Sequence, residues 1–236
     1  MINDIKEQFY CRKDDNMAVN VKSSTRDIKE LNPLVQVMLN IALAKIKKNK
    51  ISPLVVETYR PKERQYYLYG QGRSVATCVG AGMPKSYAQK YARGGNKVTW
   101  TLNSIHIQRC AVDLIPQRNG KAIWNSNDKD TKKIIEIMES VGFEAGANWS
   151  SSPDSPHFQV KGISVKGKCF TKKNNNKFVT KVIQKKLKKA GFYGDYTVDG
   201  CWGKATDNAI KKWKKSLGWK VNAKIGTTAL KKLLSY

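Results

Sequence analysis

Acidic residues are scarce in this chain of 236 residues: 18 Asp and Glu stand against 44 Lys and Arg, for a formal net charge of +26. A field of that sign gathers polyanions and weakens with salt. Cysteine is sparse and unpatterned, because Cys11, Cys78, Cys110, Cys169 and Cys201 are odd in number and contain no C-x-x-C pair. A disulfide framework is therefore not expected. No apolar run approaches the roughly 18 residues that a transmembrane helix needs. Residues 1–8 include Asp4 and Glu7 and no continuous apolar stretch, so no secretory signal peptide is expected. Together these features predict a chain made in a reducing cytoplasm.

Histidine is rarer than any of these, and there the sequence becomes specific. The chain has two histidines. One lies in Ser104-Ile105-His106, which runs on to Ala111-Val112-Asp113, and the other ends Asp154-Ser155-Pro156-His157. Imidazole nitrogens and a carboxylate oxygen are ordinary zinc ligands, and three protein ligands with a fourth position left open is the catalytic arrangement. The candidate ligands are His106, Asp113 and His157. Cys110 to Ile115 and His157 to Val160 read as short strands, so ligands at the ends of neighbouring strands can converge, with His106 supplied by the preceding loop. Asp154 precedes His157 by three residues. Pro156 forces an extended or turned backbone at Ser155, which leaves Asp154 free to aim a carboxylate at the attacking water as general base and later general acid. Either motif alone would arise by chance; the pair carries the argument. Cys110 offers a rival ligand or nucleophile, although a small buried hydrophobe is its commoner role.

The pattern Ser-x-His, Ala-x-Asp, Asp-x-Pro-His-Phe resembles the zinc D-Ala-D-Ala carboxypeptidase and L-alanyl-D-glutamate endopeptidase family, which includes many phage endolysins. The resemblance extends upstream through Ser24-Thr25-Arg26-Asp27, Leu31-Asn32-Pro33, Glu57-Thr58-Tyr59-Arg60-Pro61, Arg64-Gln65 and Gln71-Gly72-Arg73, and so covers about residues 24–160. It implies His106, Asp113 and His157 as Zn2+ ligands, Asp154 as catalytic acid/base, and Arg60 as a substrate or oxyanion contact, with Ser104, Tyr59 and Gln65 on the substrate side. A guanidinium fork suits a carboxylate or a developing oxyanion on its own chemistry. One departure stands out: Arg109 occupies the place where the family usually has Gly. Glycine permits backbone conformations that arginine tolerates poorly.

Organisation follows composition. Asn32 and Pro33 mark the start of a helix from Leu34 to about Lys48, residues 54–58 read as a strand, and Pro61 opens a second helix closed by Gly70 and Gly72. The glycine-rich residues 73–96 read as a long loop rimming the cleft. Lys129 to Val141 reads as a helix stopped by Gly142. The expected fold class is α+β, with a small antiparallel sheet and flanking helices in a catalytic domain over residues 1–163. Lys, Gly and Asn dominate residues 164–177, read as a linker.

Residues 178–236 resemble a three-helix peptidoglycan-binding domain, on Val182, Gln184, Leu187, Ala190-Gly191-Phe192-Tyr193, Val198-Asp199-Gly200, Trp202-Gly203, Trp213, Leu217-Gly218 and Ile225-Gly226. Three apolar stripes suit three packed helices. Tyr196 and Trp202 are the candidate aromatic contacts to wall polymer. From Ser164 onward, 19 lysines face 3 aspartates, which is +16 of the chain's +26. Peptidoglycan carboxylates and teichoic acids are the expected polyanions; nucleic acid would be drawn by the same term, but no base-reading or stacking motif accompanies it.

The sequence thus predicts a monomeric, zinc-dependent endolysin that cuts the peptidoglycan stem peptide at the L-Ala to D-Glu bond. By analogy with such proteins it would stay in the host cytoplasm until lysis and then act on an exposed, Gram-positive-type wall. Two alternatives stay open: a D-Ala-D-Ala carboxypeptidase on the same site, and a catalytically inactive cationic binder of wall polymer or nucleic acid.

Overall fold

A computed structural model of the chain describes residues 20–164 and 166–236. Cys11 and the segment read for a signal peptide lie outside them. The contacts divide the chain into two units, one formed by Pro61–Leu102 with residues 20–23, the other by Ser24–Arg60 with Asn103–Tyr236.

In the larger unit, helix α1 spans Pro33–Lys48. It starts where it does because the Asn32 side chain accepts from the Leu34 N–H at 2.9 Å, and Pro33 has no N–H to leave unsatisfied. Leu34, Val35, Met38, Leu39, Ala42 and Ile46 form its buried stripe. Strand β1 (Ser52–Glu57) follows, then β2 (Ala111–Arg118) and the short β3 (Lys121–Ala122). Helix α5 (Lys129–Ser140) is capped by Asp128, whose carboxylate accepts from the Asp130 N–H at 2.8 Å. Strands β4 (Glu144–Ala145) and β5 (His157–Gln159) complete an antiparallel sheet of order β1-β2-β5-β4, with β3 on β2. Helices α1 and α5 pack on it, the α+β arrangement expected.

Three more helices follow: α6 (Lys177–Lys189), α7 (Lys204–Ser216) and α8 (Thr227–Leu234). Their inward faces carry the three stripes read from the sequence, with Ile183, Leu187, Ile210, Trp213, Leu230 and Leu233 all buried. The α8 helix also packs on α1, and Leu230, Leu233 and Leu234 belong to the same apolar core as Leu34, Val35 and Met38. Each such leucine removed from water is worth about 1.5–3 kcal/mol, so residues on both sides of 164–177 depend on one core. Those intervening residues contribute to it. Strand β6 (Cys169–Phe170) pairs antiparallel with β7 (Ile225–Gly226), and Phe170 is fully buried. The asparagines that suggested an open segment are instead spent on backbone: Asn174 donates to the Cys169 carbonyl at 2.8 Å and accepts from the Ser164 N–H at 2.6 Å.

The smaller unit contains α2 (Lys62–Gly70), α3 (Val75–Gly80) and α4 (Lys85–Tyr91). Residues 73–96 were expected to be a loop, and the structure corrects this. The two helices have six and seven residues, too short to show a period, and Gly80 and Gly82 hide the turn between them. Ser74 caps α3 by accepting from the Thr77 N–H at 3.1 Å. A private core of Tyr69, Cys78, Met83 and Ala88, packed by Tyr66, Tyr87 and Leu102, supplies what local propensity does not.

Candidate metal centre

Register brings the ligands together. Glu57 on β1 is the cross-strand partner of Asp113 on β2, and Asp113 is the partner of His157 on β5. Directly opposed residues on adjacent strands have side chains about 5 Å apart, so one row across three strands carries two candidate ligands and an acid. The fourth member, His106, comes from the tight turn before β2, where the Ile107, Gln108 and Arg109 N–H groups donate to the Ser104, Ile105 and His106 carbonyls.

His106 Nε2, Asp113 Oδ1 and His157 Nδ1 lie 3.2 Å from one another. A tetrahedral zinc with bonds of about 2.0–2.2 Å has ligand atoms about 3.3–3.6 Å apart, so the triangle has close to the right edge, and no other His, Cys, Asp or Glu among the described residues joins the group. The hydrogen bonds behind the ligands fix which nitrogen points inward. Thr58 O, an acceptor only, lies 2.7 Å from His106 Nδ1, which therefore carries the hydrogen and leaves Nε2 its lone pair. For His157 the logic runs through two residues. Gln159 donates its amide to the Glu144 carboxylate at 3.0 Å, so its oxygen faces His157 Nε2 at 3.3 Å, and Nδ1 is left as the donor atom. Glu144 also accepts from the Trp149 indole N–H at 2.9 Å, and the Trp149 ring lies 5.3 Å from that of His157. Two lone pairs and a carboxylate oxygen at this spacing repel unless a cation sits among them, and the orienting partners are the kind that metal-bound imidazoles need. The donor set fits zinc.

The cluster attracts positive charge: burial would lower the His157 pKa, but the neighbouring Asp113 carboxylate outweighs this and raises it. Burial would push the Asp113 carboxyl up, but the two histidines outweigh it and hold the group well below the usual carboxylate range. Desolvation raises the Asp154 carboxyl, the neighbouring Asp113 charge raises it further, and His157, His106 and Arg60 only partly offset this. A raised carboxyl close to two ligands is suited to move a proton. Asp154 is held in place through backbone: its N–H donates to the Gly146 carbonyl at 3.0 Å, and its own carbonyl accepts from the His157 N–H at 3.2 Å. Gly146 is required there, because a Cβ would meet Asp154 O at 2.5 Å and His157 Cβ at 3.2 Å. Cys110 is fully buried, its thiol pushed up to about 12 by burial, which makes it a core residue and not a thiolate ligand.

Arg60 lies beside the triangle. Its guanidinium pairs with Glu57 and reaches within 3.7 Å of the second Asp113 oxygen. Ser104 is buried and accepts from the His106 N–H at 3.3 Å, which places it under the ligand turn. The Tyr59 ring is covered by the Arg109 guanidinium, 3.7 Å from the ring centre. Arg109 takes φ +60°, the left-handed region that the family's usual glycine would occupy without strain. It is compensated by pairing with Glu30, by donating to the Glu30 carbonyl at 2.8 Å, and by the Tyr59 stack. Gln65, in the smaller unit, is fully buried and donates to the Thr101 carbonyl at 2.6 Å. Trp202 is 7% exposed, part of the core, with its indole N–H donating to Asp207 at 2.7 Å; the exposed aromatic of that connection is Tyr196, at 61%.

The sequence assigns no role to Glu57 and Thr58, which appear there only as motif residues, nor to Gln159, Glu144 and Trp149. Gln159 had a signal, since it stands two residues after His157 and so on the same face of one strand. Thr58 had none, because it acts through its carbonyl.

Residues 97–160 match the D-alanyl-D-alanine carboxypeptidase family model, and residues 180–233 match that of a putative peptidoglycan binding domain. The chain is 29% identical over 139 residues to the peptidoglycan L-alanyl-D-glutamate endopeptidase CwlK of Bacillus subtilis, covering 56% of this chain and 74% of that one. It is 28% identical over 134 residues to the L-alanyl-D-glutamate peptidase of a Listeria phage, covering 55% of this chain and 39% of the relative. Among solved structures, the Serratia marcescens L-Ala D-Glu endopeptidase ChiX aligns over 62% of this chain and 92% of its own at 20% identity, with a TM-score of 0.38.

Proposed function

We propose that the chain is a zinc-dependent peptidoglycan peptidase that hydrolyses the stem peptide between L-Ala and D-Glu. The observation that carries this is the His106, Asp113, His157 triangle, with both imidazoles turned by acceptors behind them to present lone pairs to one point. The relatives that act on the L-Ala to D-Glu bond choose among the peptidases that such a centre could serve. Zinc, when held there, supplies Lewis acidity for a carbonyl oxygen and acidifies water. Asp154 takes the proton of the attacking water on its carboxylate and returns it to the leaving amine nitrogen. Arg60, held by Glu57, faces negative charge growing on the substrate oxygen with a guanidinium that cannot deprotonate. Glu144, through Gln159, keeps the His157 ring from rotating.

In this reading residues 1–163 carry the chemistry, residues 164–177 join it to residues 178–236, and the last part holds the wall, with peptidoglycan and teichoic acids as its polyanions. Release through a permeabilised membrane would bring a protein that accumulates in the host cytoplasm to that wall. Among the described residues no helix is long and apolar enough to cross a membrane.

Mass spectrometry of fragments released from purified peptidoglycan tests the bond. New L-Ala carboxyl and D-Glu amino termini, formed with zinc and lost with a chelator, are expected. Free D-Ala as sole product would make the chain a carboxypeptidase, and no product at all would favour the binding-protein alternative.

A further inference from the structure

The three-helix region contains a cleft that the chemistry above does not use. Its volume is about 360 Å3, and it is lined by Lys168, Lys214, Trp219, Lys220, Thr227 and Thr228 among others, a size within the range of small-ligand sites. The pairing of β6 with β7 builds it, bringing Lys168 from the 164–177 segment against the start of α8.

Lys214 gives the cleft its sign. The residue is 7% exposed, and its ammonium donates to Asn222 Oδ1 at 2.8 Å and the Lys224 carbonyl at 2.5 Å, both neutral acceptors. It makes no ion pair among the described residues. Buried lysines ordinarily have an acid beside them. Burial lowers the Lys214 pKa, a cost that a bound anion would relieve. Two exposed lysines, Lys168 and Lys220, stand at the same cleft. Trp219 is half-buried, its ring set edge-on against Trp213 at 5.7 Å between centres, which fixes one flat apolar surface in the cleft that the three lysines line. Trp and Tyr are favoured at recognition surfaces because they offer a rigid apolar face with a polar edge.

We propose that this cleft binds an anionic unit of the wall polymer, its acid group held by Lys214, Lys168 and Lys220 and the adjoining carbon framework laid against Trp219. A stem-peptide carboxylate and a teichoic acid phosphate share that anionic chemistry. The proposal rests on the wall-binding reading of residues 178–236 but not on the catalytic one, so hydrolysis of a soluble stem peptide serves as an independent control.

The test compares two double variants of the full chain. Lys168→Glu with Lys220→Glu alters exposed residues of the cleft; Lys181→Glu with Lys211→Glu makes the same charge change at exposed lysines that do not line it. Retention is measured by co-sedimentation on ice, once on peptidoglycan stripped of teichoic acid and once with isolated teichoic acid. The cleft pair is expected to weaken binding to one of these at least about tenfold, and the control pair by no more than about threefold, with hydrolysis of soluble stem peptide unchanged in both. Whichever polymer shows the gap names the source of the acid. Equal losses in the two pairs would mean diffuse attraction by the +16 surface and would overturn the proposal, as would undiminished retention of the cleft pair.

Discussion

The candidate metal centre and the three-helix region treat charge in opposite ways. At the candidate metal centre opposite charges are matched within the chain: Arg60 pairs with Glu57 and approaches Asp113, whose other oxygen lies 3.2 Å from a nitrogen of each histidine. Past residue 164 the balance is abandoned, with 19 lysines against 3 aspartates and a buried Lys214 that has only neutral acceptors. A catalytic centre must be poised before substrate arrives, so its geometry is fixed by partners within the chain. A surface that holds a polyanion can leave its counter-charge to the ligand. Yet the two regions share one apolar core, through α1 and α8.

The largest effect should separate holding the metal from moving the proton. Asp154→Asn should keep zinc while turnover falls by about 10^2–10^4, the usual worth of a positioned acid/base, whereas His106→Ala should lose zinc and activity together. Metal analysis and peptide hydrolysis on the same samples check both; wild-type turnover by Asp154→Asn would remove it from the mechanism. Next, Leu233→Ala should cost about 2–5 kcal/mol and lower the melting of the catalytic and wall-binding regions in a single transition. Two transitions, with the metal centre's unaffected, would break the shared-core account.

Smaller changes sharpen the contrast in how partners are supplied. Gln159→Leu removes the acceptor behind His157 Nε2 and leaves Glu144 without its amide donor, so zinc affinity should fall about 10–100-fold, read by competition with a chromophoric chelator. An unchanged affinity would show that the ring needs no such support. Smallest should be the backbone term at Arg109. Arg109→Ala loses the Glu30 pair and the Tyr59 stack but keeps φ +60°, while Arg109→Gly loses the same contacts and relieves the strain. The glycine variant should therefore be more stable than the alanine variant by about 1–2 kcal/mol, measured by denaturant unfolding.

What could be read from the sequence was whatever a side chain declares by type and spacing. His106, Asp113 and His157 stand out because histidine is rare and strands alternate, and α1 because Asn32 and Pro33 announce its start. Helices α3 and α4 could not be seen, since six or seven residues give no period and their stability comes from Tyr69, Met83 and Ala88 meeting in space. Phe170 was hidden among lysines and asparagines, and only the β6 to β7 pairing explains its burial. Trp202 looked like a contact because aromatic type does not reveal which way a ring faces. The row joining Glu57, Asp113 and His157 depends on register across three strands, with an irregularity between Val55 and Glu57, and strand spacing alone does not fix it.

The most direct test of the central claim is X-ray absorption at the zinc edge on the purified full chain. Two imidazoles and a carboxylate oxygen should appear as nitrogen and oxygen scatterers at about 2.0–2.2 Å with imidazole outer-shell features. A sulfur scatterer at about 2.3 Å, or one imidazole where two are expected, would contradict the assignment of His106, Asp113 and His157.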